Sequence, residues 1–396
     1  MNHSNNIDLN GKKMGGHLLV DSLRTHGVDM VFGVPGESYL AVLDGLQDAN
    51  SIKTIMCRQE GGSAMMAEAY GKLTGKPGVC LVTRGPGATN ASAGIHIAMQ
   101  DSTPLVMLVG QVGREMMDRE AFQEIDYRRM YGELTKWVAQ IEDTSRIPEY
   151  ISRAFHTATS GRPGPVVLAL PEDMLTEYAD TKIINSYQKI EAYPSPADLA
   201  QVEEMLSKSK APLMIVGGGG WDEASCQKIQ DFAEKNHLPV GCSFRCQDYF
   251  DNRHPNYVGH IGIGLSTSLQ DRIINSDLLV VIGARLGEVT TSGYSLLDIP
   301  RPKQQLIHIH SGAEELGSVY QADLPINASP RSFAEAISRL EIAGSEKWAS
   351  NTKQGNDDYL ETLIPKAIPG DVQMAEIACW LNELSPEDAI VCNGAG

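Results

Sequence analysis

The 396-residue chain has no run of about eighteen apolar residues, so a membrane-crossing helix is not expected. Positive charge is scarce. Lys and Arg number 33 against 50 Asp and Glu, the formal charge is -17, and no basic stripe is visible, which argues against a nucleic-acid partner. The opening, MNHSNNIDLNGKKMGG, lacks the apolar core of a secretory signal. Cysteine gives no paired framework: Cys57, Cys80, Cys226, Cys242, Cys246, Cys379 and Cys392 are dispersed and odd in number. Such a set fits reduced thiols and a cytoplasmic location. Cys242 and Cys246 stand close together, but without further Cys or His at metal spacing they read as core thiols. What is present is a globular composition, 42% hydrophobic and 21% charged, with length for two or three domains.

Short apolar runs alternate with helical patterns. Helices are expected near Gly16–His26 and Tyr39–Leu46, with strands at Met30–Gly33, Val79–Val82, Leu105–Val109 and Val166–Leu170. Continuous apolar runs spaced by helices indicate parallel strands buried on both faces, hence an α/β domain. The polar, proline-bearing stretch INSYQKIEAYPSPA, beginning at Ile184, reads as a linker. A second α/β pattern follows, with strands at Leu213–Val216, Leu278–Ile282 and Leu306–Ile309 and a helix over Glu223–Lys235. Ser345–Asp358 is again polar and linker-like, and a third element opens with a helix over Val372–Leu384 and a strand at Ala389–Cys392, before the final NGAG. The expected division is residues 1–183, a linker over 184–197, a middle domain over 198–343, and 344–396 as a linker with the first elements of an incomplete third domain.

Three stretches invite a chemical reading beside an architectural one. Gly217, Gly218, Gly219 and Gly220 lie between a strand and a helix, as in a dinucleotide loop, yet GxGxxG spacing is not met and an ordinary strand-to-helix turn is the alternative. RGPGATN, from Arg84 to Asn90, is either a tight turn or a close backbone approach to a ligand at the carboxyl end of a strand. Glu60 stands at a helix start, where the helix dipole alone favours a carboxylate by up to about 1 kcal/mol. The small residues after it, Gly61, Gly62, Ser63 and Ala64, cost helix propensity and leave room for something flat.

Together RQEGGSAMMAEAYGKLTG, LVTRGPGATN and GQVGREMMDREAFQEID resemble the pyrimidine-binding domain of thiamine-diphosphate-dependent enzymes, most nearly the acetolactate synthase large-subunit branch. FGVPGES, GRPGPVVLALPED and LVVIGARL extend the resemblance in one consistent order. It implies successive three-layer parallel-sheet domains: pyrimidine-binding, Rossmann-like middle, and the start of a diphosphate-binding domain. It implies that Glu60 shares a proton with N1′ of the cofactor's aminopyrimidine, which activates C2 of the thiazolium ring. Pro35, Gly36, Gly85, Pro86, Gly87 and Asn90 would line the same pocket. Gln123 would join Glu60 as a catalytic residue, with Glu37, Phe122, Gln123 and Lys136 in the substrate pocket. Glu37 departs from the synthase pattern. An acid facing a keto-acid carboxylate is unfavourable, so either the substrate is not pyruvate or Glu37 is only a helix-start residue.

In the middle domain, resemblance allows a non-redox FAD, with Gly217, Gly218, Gly219, Gly283, Arg285 and His310 as possible contacts. GHIGIGLS, GARLGEV and IHIHSG depart from the flavin-contacting pattern, so FAD is doubtful. The family's Gly-Asp-Gly, which with a later Asn holds Mg2+ and the phosphates, does not occur. No metal ligand is therefore assigned in this chain, which is expected to be inactive alone. The complete protein would be a carboligase or decarboxylase of 2-keto acids, working as a homodimer or homotetramer. The rivals are another thiamine branch (sulfoacetaldehyde acetyltransferase, oxalyl-CoA decarboxylase or benzaldehyde lyase type) and a non-catalytic remnant binding a nucleotide or partner.

Overall fold

The computed structural model describes residues 11–180 and 184–392. The polar opening before residue 11, the boundary placed at residue 183 and the final NGAG lie outside them. The first unit contains strands β1 (Lys13–Met14), β2 (Met30–Gly33), β3 (Lys53–Met56), β4 (Gly78–Val82), β5 (Leu105–Gln111), β6 (Trp137–Gln140), β7 (Pro165–Pro171) and β8 (Tyr178–Ala179). Six of them form one parallel sheet in the order β3-β2-β4-β5-β7-β6, while β1 and β8 pair antiparallel beside it. Every residue of β4, β5 and β7 is buried, which is why these runs are apolar without alternation. On one face the helices Gly15–Thr25 and Ile147–Thr159 bury Leu18, Leu23, Ile151 and Phe155. On the other face lie Glu60–Thr74 and Pro86–Asp101. Their small residues are explained by proximity, since a Cβ on Gly94 would stand 2.5 Å from the Ala64 Cβ.

The second unit adds β9 (Pro212–Val216), β10 (Val240–Ser243), β11 (Tyr257–Ile261), β12 (Leu278–Ile282), β13 (Gln305–His310) and β14 (Leu324–Asn327), parallel in the order β11-β10-β9-β12-β13-β14. The chain is thus α/β with two parallel six-stranded sheets, as the sequence implies. Between them residues 184–195 have no regular structure but are not loose. The Tyr187 N–H donates to His26 Nδ1 at 3.0 Å, and its ring packs against Phe155. The second unit begins at a capping box, Ser195 with Asp198, that opens the helix Pro196–Lys208.

Two expectations about the end of the chain need correction. Ser345–Asp358 is no linker: a 3-10 turn, Ser345–Trp348, leads into the helix Ala349–Thr362. Trp348 is fully buried in the second core and its indole N–H donates to the Ser209 carbonyl at 3.1 Å. The segment's polarity belongs to the outer face of a helix anchored by one large aromatic. The helix Met374–Leu384 forms as expected, but Ala389–Cys392 is not a strand. Ile390 and Val391 are 90% and 72% exposed, and among the described residues no strand pairs with them.

Candidate active site

The first sheet reverses its strand order between β2 and β4, and open α/β sheets bind ligands outside the carboxyl ends at such a point. Pro35 and Gly36 follow β2, Glu60 follows β3, Arg84–Asn90 follow β4, and Phe122 and Gln123 lie in the excursion after β5. The fold therefore gathers at one edge residues far apart in sequence.

Glu60 is the first residue of its helix, but it does not cap it. Gln59 does: its Oε1 accepts from the Gly62 N–H at 2.8 Å. The Glu60 carboxylate is thereby left for another partner, and Asn90 Nδ2 donates to its Oε2 at 3.0 Å. The two helix starts approach because both carry glycine. A Cβ on Gly61 would lie 3.0 Å from the Asn90 carbonyl oxygen, and one on Gly87 would lie 3.4 Å from Glu60 Oε1 and 2.9 Å from Thr83 Cγ2. Gly62 differs, with nothing but the Gln59 amide oxygen within 4 Å of its Cβ position. Of the two glycines that sequence reading assigns to an approaching flat group, Gly61 is required by the protein's own backbone and Gly62 faces open space.

The RGPGATN turn is held from several sides. Gly85 has φ +59°, in the left-handed region, and its N–H donates to the Tyr127 hydroxyl at 3.0 Å. A Cβ there would stand 2.6 Å from that of Gln123, so Gly85 and Gln123 are in direct contact. Arg84 binds Glu172 at 3.0 Å and donates through Nε to the Phe122 carbonyl at 3.1 Å. Ser38 Oγ meets Thr83 Oγ1 at 2.8 Å and accepts from the Arg84 N–H, tying the β2 turn to the β4 turn. Pro86, Asn90 and Phe122 are exposed, the last 77% so. Glu37 is also exposed and opens the 3-10 turn Glu37–Tyr39. Tyr127 and Glu172 were not singled out from sequence, because a lone hydroxyl or carboxylate at a helix start has no pattern of its own.

Lys136 is not brought to this edge. It precedes β6 at the opposite, amino end of the sheet, beside Gly164, with Nζ donating to the Ser160 carbonyl. Burial lowers its pKa to about 8, against the opposing pull of Glu314. Within one chain it shares no pocket with Glu60.

The second sheet reverses order between β9 and β12, and the flagged glycines lie there. Gly218, with φ +70°, would place a Cβ 1.9 Å from the Gly283 carbonyl oxygen, and a Cβ on Gly219 would lie 2.5 Å from that of Ser102. Gly217 is as tight against Ser243. Gly218 and Gly219 serve close backbone crossings, and Gly217 leaves room for the Ser243 side chain. The following helix, Glu223–Lys235, has its own anion at its start, Asp222 in a capping box with Ser225. A crevice of about 400 Å³ nevertheless opens beside Gly218, between Ser102, Arg245 and Arg285. Arg285 pairs with Glu315 at 3.0 Å, and Arg162 of the first unit binds the other Glu315 oxygen at 2.9 Å. His310 is buried, with Nδ1 accepting from the Gly312 N–H at 3.0 Å, and burial lowers its pKa. Cys242 and Cys246 are both buried, and burial pushes both thiols up. Among the described residues no group of three or more His, Cys, Asp or Glu could hold a metal ion.

Comparison with known proteins matches both units. Residues 13–130 match the family described as thiamine pyrophosphate enzyme, N-terminal TPP binding domain, and residues 199–337 match thiamine pyrophosphate enzyme, central domain. The acetolactate synthase large subunit of Corynebacterium glutamicum is 32% identical over 96% of this chain and 62% of its own length. The acetolactate synthase isozyme 2 large subunit of Escherichia coli is 29% identical over 96% of this chain and 68% of its own. The Lactococcus lactis large subunit is 29% identical over 98% and 68%. The chain thus spans only part of the length of these relatives. Two matched domains in order show that this chain carries the N-terminal and central domains of the thiamine pyrophosphate enzymes.

Proposed function

We propose that the chain provides the pyrimidine-binding and middle domains of a thiamine-diphosphate-dependent enzyme that joins or decarboxylates 2-keto acids, in the manner of acetolactate synthase. The observation that carries this reading is the Glu60 carboxylate, released from capping by Gln59, steered by Asn90 and facing Gly87. Thiamine diphosphate, when bound, supplies an acidic ring carbon that attacks a keto-acid carbonyl once its proton is removed. Glu60 is suited to share a proton with the N1′ nitrogen of the aminopyrimidine. The Asn90 amide holds Oε2, leaving Oε1 on the Gly87 side for that contact. Gly85 and Gly87 keep the wall of the pocket free of side chains, while Phe122 and Gln123 border it on the substrate side.

Two phosphates and a hard cation need oxygen ligands, and the described residues contain no such cluster. We therefore assign Mg2+ and diphosphate binding to a separate diphosphate-binding domain, and expect this chain alone to be inactive. A neutral ring without its charged anchor binds in the millimolar range at best, roughly -4 kcal/mol. Calorimetric titration with cofactor and Mg2+ checks this, and micromolar, Mg2+-dependent binding would contradict it. A two-fold homodimer is part of the same reading. It is supported by Met56, Met65, Met66 and Leu73, which are 58%, 44%, 48% and 84% exposed on and beside the Glu60 helix.

The decisive experiment uses an assembly completed with a diphosphate-binding domain and loaded with cofactor in D2O, without substrate. Glu60→Gln should fold normally but slow cofactor C2–H exchange, followed by proton NMR, by about two to four orders of magnitude. Near-normal exchange in that variant would remove the basis for the assignment.

A further inference from the structure

The excursion between β5 and the helix Tyr127–Tyr131 carries Phe122 and Gln123, and its conformation is unusual. Asp118, Glu120 and Gln123 have φ values of +62°, +54° and +66°, three left-handed non-glycine residues within six positions. Such backbone persists only where surrounding contacts over-determine it. At its base the excursion is tied to β5, because the fully buried Gln111 donates from Nε2 to the Ile125 carbonyl at 2.8 Å. Across the pocket, Arg84 donates to the Phe122 carbonyl at 3.1 Å.

Inside the excursion, the Glu124 carboxylate takes both strong contacts. Its Oε1 accepts from the Asp118 N–H at 2.7 Å and its Oε2 from the Ala121 N–H at 3.0 Å. One side chain thus closes the turn from both ends, with Phe122 and Gln123 held between its anchor points and itself. These amide contacts also hold the Glu124 carboxyl below the usual carboxylate range. Gln123 in turn abuts Gly85, since its Cβ, carbonyl oxygen and Cα lie 2.6, 2.9 and 3.1 Å from where a Gly85 Cβ would be.

We infer that Glu124 is a positioning residue: its carboxylate staples the Asp118–Ala121 turn so that Gln123 seats on Gly85 and Phe122 borders the substrate side of the Glu60 pocket. The role of Phe122 and Gln123 toward substrate rests on the proposed function; the staple itself does not.

The test compares Glu124→Ala and Glu124→Gln in the isotopically labelled chain by amide NMR. In Glu124→Ala, exchange of the Asp118 and Ala121 amides should accelerate about ten-fold or more, while β4 and β5 amides stay protected. The Gly85 amide resonance should move with them. Glu124→Gln keeps one acceptor oxygen, so it should preserve protection at one of the two amides; if the alanine variant loses sheet protection altogether, this variant decides. Unchanged exchange at both amides overturns the inference. So does an opened turn with an unmoved Gly85 resonance, because Glu124 would then close only its own turn. In the completed enzyme, Glu124→Ala should raise KM for the keto acid and leave cofactor C2–H exchange unaltered. A fall in that exchange matching the loss in turnover counts against positioning at the substrate side. Failure of the thiamine reading shows separately, in Glu60→Gln, and leaves the amide measurements intact.

Discussion

Replacing Trp348 by alanine tests whether the segment after the middle sheet is part of that unit. The side chain has no exposure and lies in the core that also holds Leu206, Phe232 and Tyr257. Removing a buried tryptophan costs about 3–5 kcal/mol, as transfer and cavity terms add. Trp348→Phe retains much of the volume but strands the Ser209 carbonyl, which loses its 3.1 Å donor, at about 1–3 kcal/mol. With a urea m-value of about 2 kcal/mol/M for a unit of this size, the alanine variant's midpoint should fall by roughly 2 M and the phenylalanine variant's by a smaller amount, roughly 0.5–1.5 M. Urea titration followed by circular dichroism reads the shift, and amide exchange in β9 and β11 assigns it to the second unit. A midpoint unchanged within about 0.3 M for Trp348→Ala would refute the docking of this segment and restore it to a linker.

His308 should make stability fall in mild acid. Burial lowers its pKa to about 4 from 6.5, so between those values the unfolded chain takes a proton that the folded chain refuses. Its contribution is complete above pH 6.5 and declines by about 1.4 kcal/mol per pH unit toward pH 4. Melting curves from pH 7 to 4.5 should therefore flatten in His308→Gln, whose amide can still donate to the Ala284 carbonyl now 3.0 Å from the ring nitrogen. The chain should associate through its pyrimidine unit. Sedimentation showing only monomer at micromolar concentration argues against it, and Leu73→Glu should weaken the assembly. No stoichiometric flavin is expected in the middle crevice, where Arg285 already has an anionic partner and the nearby helix start is capped by Asp222; FAD released on heating the purified chain would contradict this.

The parallel sheets were legible because β4, β5, β7, β9 and β12 are uninterrupted apolar runs, buried along their whole length. β3, β6, β10, β11 and β14 were not, since KTIM, WVAQ, VGCS, YVGHI and LPIN are short and mix glycine, proline or polar residues into the run. Their place is set by pairing with a neighbour rather than by their own pattern. Glu60 and the RGPGATN turn could be singled out from residue type and spacing. What could not be read was that Gln59 rather than Glu60 caps the helix, or that Gly61, Gly218 and Gly219 answer to backbone contacts and Gly217 to the Ser243 side chain. Close approach between distant segments leaves the same glycine in a sequence as approach to a ligand. Lys136 shows the converse: a motif match along the chain does not say which end of a parallel sheet a residue occupies.

The helix Pro86–Asp101 begins in the Glu60 pocket, where Asn90 reaches the carboxylate, and its last turn and Ser102 border the crevice of the second unit against Gly219. Unless a π-bulge absorbs it, one residue inserted in a helix turns everything beyond it by about 100° and shifts it by about 1.5 Å, and a deletion has no such outlet. Such a change at its centre would leave only one end in register, either the carboxylate's partner or the seam. The spacing between Asn90 and Ser102 is thus a fixed ruler between two crevices, and tolerance to insertions in this chain should be lowest there and high in the turns that face away from both.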